Sequence, residues 1–391
     1  IVFSQGNTQA AMVFCDVIGI PLARSRQARA LAEKKTGIAA SNILIAATHT
    51  HTGPQYHGVL RDYLHDQAVA RDGSDRAESV DYGERLVEGI VKAIADAKAR
   101  IEPVRLQTAV GNQQGLSFNR RFHMKNSSEV RFNPGKLNPD ILRPAGPIDP
   151  EVGLVLLRSA AGDRPLGSLT TFALHLDTVG GTEYSADFPG YLADSLRAEY
   201  GEGFVSLFGN GTCGDINHVD VGHDRPQGGH DEAARIGGEL AKTVKAALKN
   251  ARDVKAPTLA VRMKEIQVPI RKFSDEEAAW SEKVIASGEV HKLPFLDRVK
   301  AWNIRVMRSI DGDTMPMIVQ VFCLSQDVAL VALPGEVFAD LGLAIKKASP
   351  FATTMVVELA HDAPGYIPTT KAFAEGSYET INGRIQPGGG E

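Results

Sequence analysis

The chain has 391 residues, which is enough for a large hydrophobic core and does not demand more than one domain. Apolar residues make up 43% of it and charged residues 23%, and the formal net charge is −4. These ordinary globular values leave no general basic field for nucleic acid or for a membrane surface. We therefore expect a small-molecule or acylated substrate, no nucleic-acid partner and no integral membrane segment.

Cysteine usage argues against two classes of structure. Cys15, Cys213 and Cys323 lie far apart and form no CxxC pair. This spacing argues against a thiolate metal site and against a fold held together by disulfides. No stretch approaches the roughly 20 apolar residues that span a bilayer, and no signal peptide heads the sequence. Because the sequence opens on the apolar letters IVF, we expect a processed or trimmed N-terminus.

Short apolar runs alternate with amphipathic helical patterns along the chain. The predicted strands are Ala11–Asp16, Asn42–Thr48, Arg105–Val110, Gly153–Arg158, Gly167–Ala173, Phe204–Phe208, Thr258–Val268, Pro316–Leu324, Val328–Leu333 and Thr354–Glu358. The predicted helices are Ser25–Thr36, Tyr82–Ala99, Phe188–Tyr200, Asp231–Asn250, Asp275–Ser287 with Ser274 as its cap, and Val337–Ala348. This alternation is typical of an α/β fold with mixed β-sheets flanked by helices. We predict one large domain over residues 1–391.

The segment Lys125–Pro150 interrupts this alternation. It carries Pro134, Pro139, Pro144, Pro147 and Pro150. Loops of this length in compact domains are commonly functional. We therefore predict a long, ordered excursion that covers a site.

A histidine pair follows the second predicted strand. The stretch ILIAATHTHTGP places His49 and His51 one residue apart, before Gly53 and Pro54 break the pattern. Residues i and i+2 of a strand lie on the same face, so the two imidazoles should leave the strand end side by side. The pair could hold a metal, pass a proton or bond to the next loop.

Other strand exits carry groups of the same chemical kind. His175 follows the strand Gly167–Ala173, and Glu336 follows the Pro-Gly turn after Leu333. Glu336 could equally interact with a helix dipole, since it would lie in the first turn of the predicted helix. Tyr366 and Tyr378 follow the last predicted strand. Two histidines and one glutamate are a usual catalytic zinc set, so these exits predict one metal site.

Five motifs, taken together, resemble a known family. The stretches THTHTGP, FALH, GNGTCGDIN, LPGEVF and GYIPTT…GSYE resemble, in this order, the catalytic domain of the neutral/alkaline ceramidases, zinc amidohydrolases that cut the N-acyl bond of ceramide. The resemblance covers nearly the whole chain. It implies one zinc ion per chain, held by His49, His175, Glu336 and Tyr366. It also implies a secreted or periplasmic location.

The resemblance further implies the catalytic residues. His51 becomes a catalytic neighbour of the metal, and Arg120, in the Asn-Arg match of LSFNRRF, and Tyr378 match further family residues. Arg120 and Tyr378 are candidates to stabilise an oxyanion, and His51 is a candidate proton carrier. Asp215 could orient His51 or a ligand imidazole, or could simply form an Asx-turn. Arg120 beside Arg121 could also be a surface pair.

Three departures from the family bear on function. Where ceramidases have a serine followed by proline, this chain has Asn217 and His218. A carboxamide cannot act as a nucleophile, so attack would come from zinc-activated water, with Asn217 positioning substrate or donating to an oxyanion. The sequence ends soon after Tyr378, so we expect the C-terminal immunoglobulin-like domain to be absent. The basic residues of the Lys125–Pro150 segment predict a substrate more polar than ceramide; they are Lys125, Arg131, Lys136 and Arg143.

The sequence thus predicts a zinc-dependent hydrolase of an amide or ester bond, ceramidase-like but acting on a more polar substrate. Two alternatives stay open. A metal-dependent phosphoester or sulfoester hydrolase would need more carboxylates, for which Asp187, Asp215 and Asp220 are the candidates besides Glu336. A catalytically silent zinc-containing module would recognise a sugar or an acylated ligand, consistent with asparagine in place of serine.

Overall fold

The computed structural model describes residues 1–125 and 127–391. Its strands are β1 (Val2–Gln5), β2 (Thr8–Cys15), β3 (Ile43–Ala47), β4 (Val104–Asn112), β5 (Phe118–Asn119), β6 (Arg121–Met124), β7 (Val130–Phe132), β8 (Ile141–Pro144), β9 (Glu151–Ser159), β10 (Pro165–Phe172), β11 (Val205–Asn210), β12 (Ile216–Asn217), β13 (Arg252–Asp253), β14 (Ala260–Pro269), β15 (Thr314–Cys323), β16 (Val328–Ala332), β17 (Glu336–Val337), β18 (Thr353–Val357) and β19 (Tyr366–Ile367). Its helices are α1 (Leu22–Thr36), α2 (Val59–Asp72), α3 (Tyr82–Ala99), α4 (Phe188–Tyr200), α5 (His230–Leu248), α6 (Asp275–Ala286), α7 (Phe295–Arg308), α8 (Ala339–Ala348), α9 (Thr370–Glu375) and α10 (Tyr378–Asn382).

The sheets are mixed, as the sequence predicts. One sheet has the order β11-β10-β9-β4-β13, and in it β10 pairs parallel with β11 and antiparallel with β9. A second has the order β14-β15-β16-β18, in which β16 and β18 are parallel. A third joins β1, β2 and β3, with β2 and β3 parallel. Together with the flanking helices, this confirms a single mixed α/β domain.

The core explains why the central strands read as continuous apolar runs. In β9, Leu154 and Leu156 face a core shared with α4 and α5, whereas Val155 faces a core shared with β2, β3, β16 and β18. Successive side chains of a strand point to opposite faces, so a strand buried on both faces needs apolar residues throughout. The strand ends therefore hold the polar residues.

The predicted elements match the structure most closely where amphipathic periodicity is strong. Tyr82–Ala99 and Phe188–Tyr200 have the predicted bounds, and Ser274 caps α6 in a capping box with Glu277. The predicted helix Val337–Ala348 begins too early. Glu336–Val337 is a short strand that pairs with Tyr366–Ile367, and α8 begins only at Ala339. The sequence prediction missed α2, α7, α9 and α10.

The described residues of the segment Lys125–Pro150 include two short strands, β7 and β8. Strands β7 and β8 flank β6 in a three-stranded antiparallel sheet. These strands have only three or four residues, too few to produce a visible period between the prolines. Residue 126, which falls in the predicted segment, lies outside the described residues.

Among the described helices, none has the length and apolar character needed to cross a membrane.

Candidate active site

The ends of β3, β10 and β17 bring three predicted metal ligands together. His49 follows β3, His175 follows β10, and Glu336 opens β17. The Nε2 atoms of His49 and His175 lie 3.1 Å apart. The Oε2 atom of Glu336 lies 3.4 Å from the first and 3.5 Å from the second. Three donor atoms from distant parts of the sequence thus converge on one point.

The local reason for the histidine pair differs from the predicted one. The strand ends at Ala47, and His49 has φ of 75°, which is left-handed backbone rather than strand. Such a conformation is uncommon outside glycine and turns the chain sharply. His49 is consequently buried, whereas His51 is exposed, with the two ring centroids 4.9 Å apart. The pair is close, but strand alternation is not the cause.

Backbone carbonyls fix the tautomers of the two buried imidazoles. His49 Nδ1 lies 2.6 Å from the carbonyl oxygen of Ile18, and His175 Nδ1 lies 3.0 Å from that of Cys213. A carbonyl oxygen only accepts hydrogen bonds, so each Nδ1 carries the proton. In the neutral rings each Nε2 then presents a lone pair. This is the orientation in which proteins present histidine to a metal.

The donor set fits a cation. Two Nε2 lone pairs at 3.1 Å repel each other, and Glu336 Oε2 is a buried oxygen that accepts no hydrogen bond from any described residue. A zinc ion with two nitrogen ligands and one carboxylate ligand would satisfy all three atoms.

His51 stands beside this cluster. Its nearest ring nitrogen and those of His49 and His175 all lie within 4.8 Å of one another. Desolvation by the surrounding protein lowers the pKa of His51, so its ring is neutral at pH 7. An exposed, neutral imidazole at this place can accept a proton from a bound molecule.

Tyr366 and Arg120 join the cluster from another side. Tyr366 lies beside Glu336 in the parallel pairing of β17 with β19. Arg120 Nη2 donates to the Tyr366 hydroxyl at 3.0 Å and to the carbonyl of Gly214 at 2.8 Å. Its Nη1 makes no hydrogen bond with the described residues. The arginine therefore holds the tyrosine in place with one donor still free.

The interpretation of Arg120 and Arg121 as a surface pair is wrong. Their side chains are buried, and both donate to Glu379, whose carboxylate is fully buried. Arg120 Nε reaches Oε1 and Arg121 Nη1 reaches Oε2, each at 3.0 Å. A carboxylate shared by two guanidinium groups is a rigid arrangement. Sequence reasoning missed Glu379, although it directly follows Tyr378.

Aromatic rings surround Tyr378. Its ring lies 5.5 Å from that of Tyr366, 4.8 Å from Phe132 and 5.4 Å from Phe295, with which it stacks. Phe132 belongs to the predicted cover segment, and Phe295 is the first residue of α7 and is 49% exposed. The segment Lys125–Pro150 thus reaches the site through an aromatic side chain.

Asn217 connects the same segment to the Gly-rich loop. Its Nδ2 donates to Asn133 Oδ1 at 3.2 Å, and its Oδ1 accepts from the backbone N–H of Val219 at 3.1 Å. The side chain is 1% exposed. The structure therefore shows Asn217 as a link between two loops beside the site.

The Asp215 carboxylate is held through both of its oxygens by residues other than the imidazoles. Its Oδ1 accepts from the backbone N–H of Ala339, the first residue of α8, at 2.9 Å, and its Oδ2 accepts from Asn119 Nδ2 at 2.7 Å. Burial raises its pKa to about 6. Neither bond involves His51 or a ligand imidazole. The contacts make Asp215 a brace between β5 and the start of α8.

The other two carboxylates considered from sequence have backbone partners. Asp187 accepts from the N–H groups of Thr178, Val179 and Phe188. Asp220 accepts from the N–H of Gly222. These bonds order loops, and they do not supply the extra carboxylates that a two-metal centre would need.

Glu358 braces the cluster from behind and was not predicted. Its Oε2 accepts from the N–H groups of Val337 at 2.7 Å and Cys213 at 3.1 Å, so it joins β17 to the loop that accepts from His175. Burial raises its pKa to about 8. A Cβ at Gly214 would clash with the backbone oxygen of Glu336, so only glycine allows this close approach.

Asp177 and His218 form an ion pair that sequence reasoning also missed. Asp177 Oδ1 lies 2.9 Å from His218 Nδ1, and His218 Nε2 lies 2.6 Å from the carbonyl of Gln227. Asp177 follows His175 by two residues, and this adjacency was the available signal. His218 stands at the departure from the family motif, next to Asn217.

The basic residues of the predicted cover do not reach the site. Their side chains are exposed and contact their own segment or the loop at Arg225; they are Lys125, Arg131, Lys136 and Arg143. They therefore give no support to a polar substrate.

Two other features lie away from this cluster. A cavity of about 1060 Å³ is lined mainly by apolar residues, including those of β1 and β2, without the imidazoles of the site. His65, Asp75 and Glu78 form a second group of possible ligands, but Arg61 pairs with both carboxylates. Neither carries the chemistry of the first cluster.

Buried histidines and a glutamate at strand exits of a mixed α/β domain are typical of metal-dependent hydrolases. A family model described as neutral/alkaline non-lysosomal ceramidase, N-terminal, matches residues 1–223. This chain therefore belongs to the neutral/alkaline non-lysosomal ceramidase family, which is a family of hydrolases. Glu336, Tyr366 and Tyr378 lie beyond the matched residues.

Relatives support the same placement. Neutral ceramidase from Pseudomonas aeruginosa is 27% identical over 218 residues, which are 54% of this chain and 28% of that protein. The crystal structure of neutral ceramidase from Pseudomonas aeruginosa superposes with a TM-score of 0.69 at 20% identity, over 98% of this chain and 64% of that one. A ceramidase complexed with C2 gives 0.70 at 18% identity, over 98% and 65%. These structures establish the fold, and this chain spans less than two thirds of either.

Proposed function

We propose that this chain is a zinc-dependent hydrolase of an amide or ester bond that uses water as the nucleophile. The convergence of His49 Nε2, His175 Nε2 and the orphaned Glu336 Oε2 carries the proposal. Zinc, when bound, would polarise the substrate carbonyl and lower the pKa of water toward neutrality. Tyr366, adjacent to Glu336 and held by Arg120, is the proposed fourth ligand.

The chain's own residues supply the remaining chemistry. His51 is exposed beside the ligands, so it can take a proton from the attacking water and return it to the leaving group. The free Nη1 of Arg120 and the hydroxyl of Tyr378 are donors for the developing oxyanion. Asn217 has an amide in place of a nucleophile, and its bond to Asn133 suits a role in holding the substrate-facing loops.

A substrate more polar than ceramide is part of the proposal, on residues other than the predicted ones. The carboxylate of Asp177, the His218 ring and the amides of Asn133 and Asn217 form a polar group beside the cluster. The aromatic rings around Tyr378 can cover an acyl chain. We infer an amphiphilic substrate with a polar head near the cleaved bond.

Hydrolysis of a substrate panel tests this function. We expect the zinc-loaded chain to hydrolyse some N-acyl amino acids, N-acyl sugars or acyl esters, and to lose that activity with a chelator and regain it with zinc. Phosphate and sulfate esters should not be turned over. Activity that a chelator does not affect, or activity confined to phosphate or sulfate esters, would contradict the proposal. Binding of acylated ligands without turnover would favour a silent module.

A further inference from the structure

The Asp177 carboxylate has one oxygen held by the protein and one oxygen free. Oδ1 pairs with His218 Nδ1 at 2.9 Å, whereas Oδ2 meets no hydrogen-bond donor in the described parts of the chain. The side chain is 25% exposed. An ionised carboxylate only accepts hydrogen bonds, so the free oxygen is available to a donor from outside the protein.

His218 fixes the direction of this carboxylate. Both of its ring nitrogens face acceptors, Asp177 Oδ1 and the carbonyl of Gln227, so the ring carries two protons and a positive charge. Gln227 is itself held, because its Oε1 accepts from the N–H of Asp220 at 2.6 Å and its Nε2 donates to the carbonyl of Asp220 at 2.9 Å. A donor that meets Asp177 therefore meets a pre-positioned acceptor.

The loop that carries Asp177 is also ordered. Asp187 accepts from the N–H groups of Thr178 and Val179, each at 2.9 Å. Asp177 lies two residues after His175, at the start of this ordered turn. The carboxylate therefore has a fixed position relative to the proposed zinc ligands.

A backbone contact places this carboxylate beside the reacting groups. The N–H of His51 donates to the carbonyl of Leu176, the residue directly before Asp177, at 3.0 Å. Asp177 therefore lies close to His51 and to the proposed ligand His175.

We propose that Asp177 selects substrates that carry a hydroxyl or ammonium group close to the bond cleaved at this site. The inference rests on the proposed function and names the chemistry of its substrate. A substrate without that donor leaves a desolvated carboxylate oxygen without a hydrogen bond. This costs binding free energy and discriminates against such a substrate. A substrate with a carboxylate at that place is repelled, because Asp177 can only accept.

Matched amides test the selectivity. The lauroyl amides of ethanolamine, ethylenediamine, propylamine and glycine present a hydroxyl, an ammonium, a methyl and a carboxylate group near one amide bond. For the zinc-loaded wild type we expect kcat/KM for the first two to exceed that for the propylamide by about 10- to 100-fold, as for a hydrogen bond to a charged group. The glycine amide should be the poorest.

Substitutions separate charge from hydrogen bonding. Asp177→Asn keeps an acceptor oxygen but removes the charge, so the preference for ammonium should fall by about tenfold or more while part of the hydroxyl preference remains. Asp177→Ala should lose both preferences. His218→Gln, which releases the carboxylate, should weaken both through KM. Asp220→Asn is the matched control, because that carboxylate caps its own loop at Gly222 and should change nothing.

Zinc content and calorimetric binding keep the two proposals apart. All of these variants should retain wild-type zinc. Binding of the four amides to the zinc-free chain should show the same order, and that order should vanish in Asp177→Ala. The role of Asp177 would be overturned if the wild type had equal kcat/KM for the propylamide and the ethanolamide. It would also be overturned if the order of the four amides were unchanged in Asp177→Ala. Ordered binding without any hydrolysis would instead overturn the proposed function and leave the recognition by Asp177 supported.

Discussion

Two groups of residues meet at the site, and they have different origins. The proposed ligand group, called the ligand group below, consists of His49, His175, Glu336 and Tyr366, which resemble residues of the family motifs. The polar group, Asp177, Asn217 and His218, occupies or adjoins the positions where the chain departs from them. The ligand group is fixed by backbone carbonyls and strand pairing, whereas the polar group is fixed by bonds among side chains and loops. We infer that the first determines the chemistry and the second determines the substrate.

Removing a ligand imidazole should have the largest effect. We expect His49→Ala and His175→Ala to lose zinc and fall to background activity, with a modest loss of unfolding free energy because metal binding stabilises the folded site. Metal analysis and thermal unfolding would measure both effects. His65→Ala, in the second histidine-carboxylate group, is the control and should keep its zinc. Full zinc occupancy in both variants would show that His49 and His175 are not zinc ligands.

Removing His51 should separate catalysis from metal binding. We expect His51→Ala to keep one zinc and to lose about 10²- to 10⁴-fold in kcat, the usual loss for a general acid or base. His291→Ala is the control. It removes an exposed imidazole from the short helix Val290–Lys292, which is distant from His51 in sequence. A His51→Ala chain that lacks zinc would instead place His51 in the ligand group.

Removing the Tyr378 hydroxyl tests whether this group donates a hydrogen bond to the developing oxyanion. Tyr378→Phe keeps the ring between Phe132 and Phe295 and should lower kcat by about 10²-fold, as loss of one oxyanion donor does. Tyr200→Phe, on α4, is the matched control and should leave the rate unchanged. An unchanged kcat in Tyr378→Phe would limit that residue to packing.

Changing Asn217 should have the smallest effect on rate. We expect Asn217→Ser to keep zinc and to change relative kcat/KM among N-acyl substrates by less than about tenfold, because only neutral hydrogen bonds are altered. Comparison of N-acyl amino acids, N-acyl sugars and ceramide in both proteins would measure this. If the wild type hydrolyses only ceramide, or if activity emerges only in the serine variant, the division between the two groups is wrong.

The proximity of His49, His175 and Glu336 could be predicted from sequence for a physical reason. A strand buried on both faces places its first polar residues at its exit, so His175 and Glu336 could be located from the apolar run before them. The left-handed turn at His49 could not be predicted, because it depends on carbonyls at Cys15 and Val17 that meet Thr48 and His49 only in the folded chain.

The buried carboxylates that support the site could not be predicted, because their partners are distant in sequence. Glu358 ends a predicted strand, and Glu379 follows Tyr378, yet each acts through partners at least 21 residues away in sequence. Asp177 pairs with a histidine 41 residues further on. Nothing in the local pattern distinguishes such carboxylates from solvated ones. The same holds for β7 and β8, whose pairing with β6 creates strands that local propensity does not show.

Stepwise zinc reconstitution tests the central claim most directly. The chain is stripped with a chelator, zinc is returned in substoichiometric steps, and bound zinc and amide hydrolysis are measured on the same samples. We predict that the rate rises in proportion to bound zinc and stops rising at one zinc per chain. A rate that needs two zinc ions per chain, or that is already complete in the stripped protein, would contradict a single zinc centre built by His49, His175, Glu336 and Tyr366.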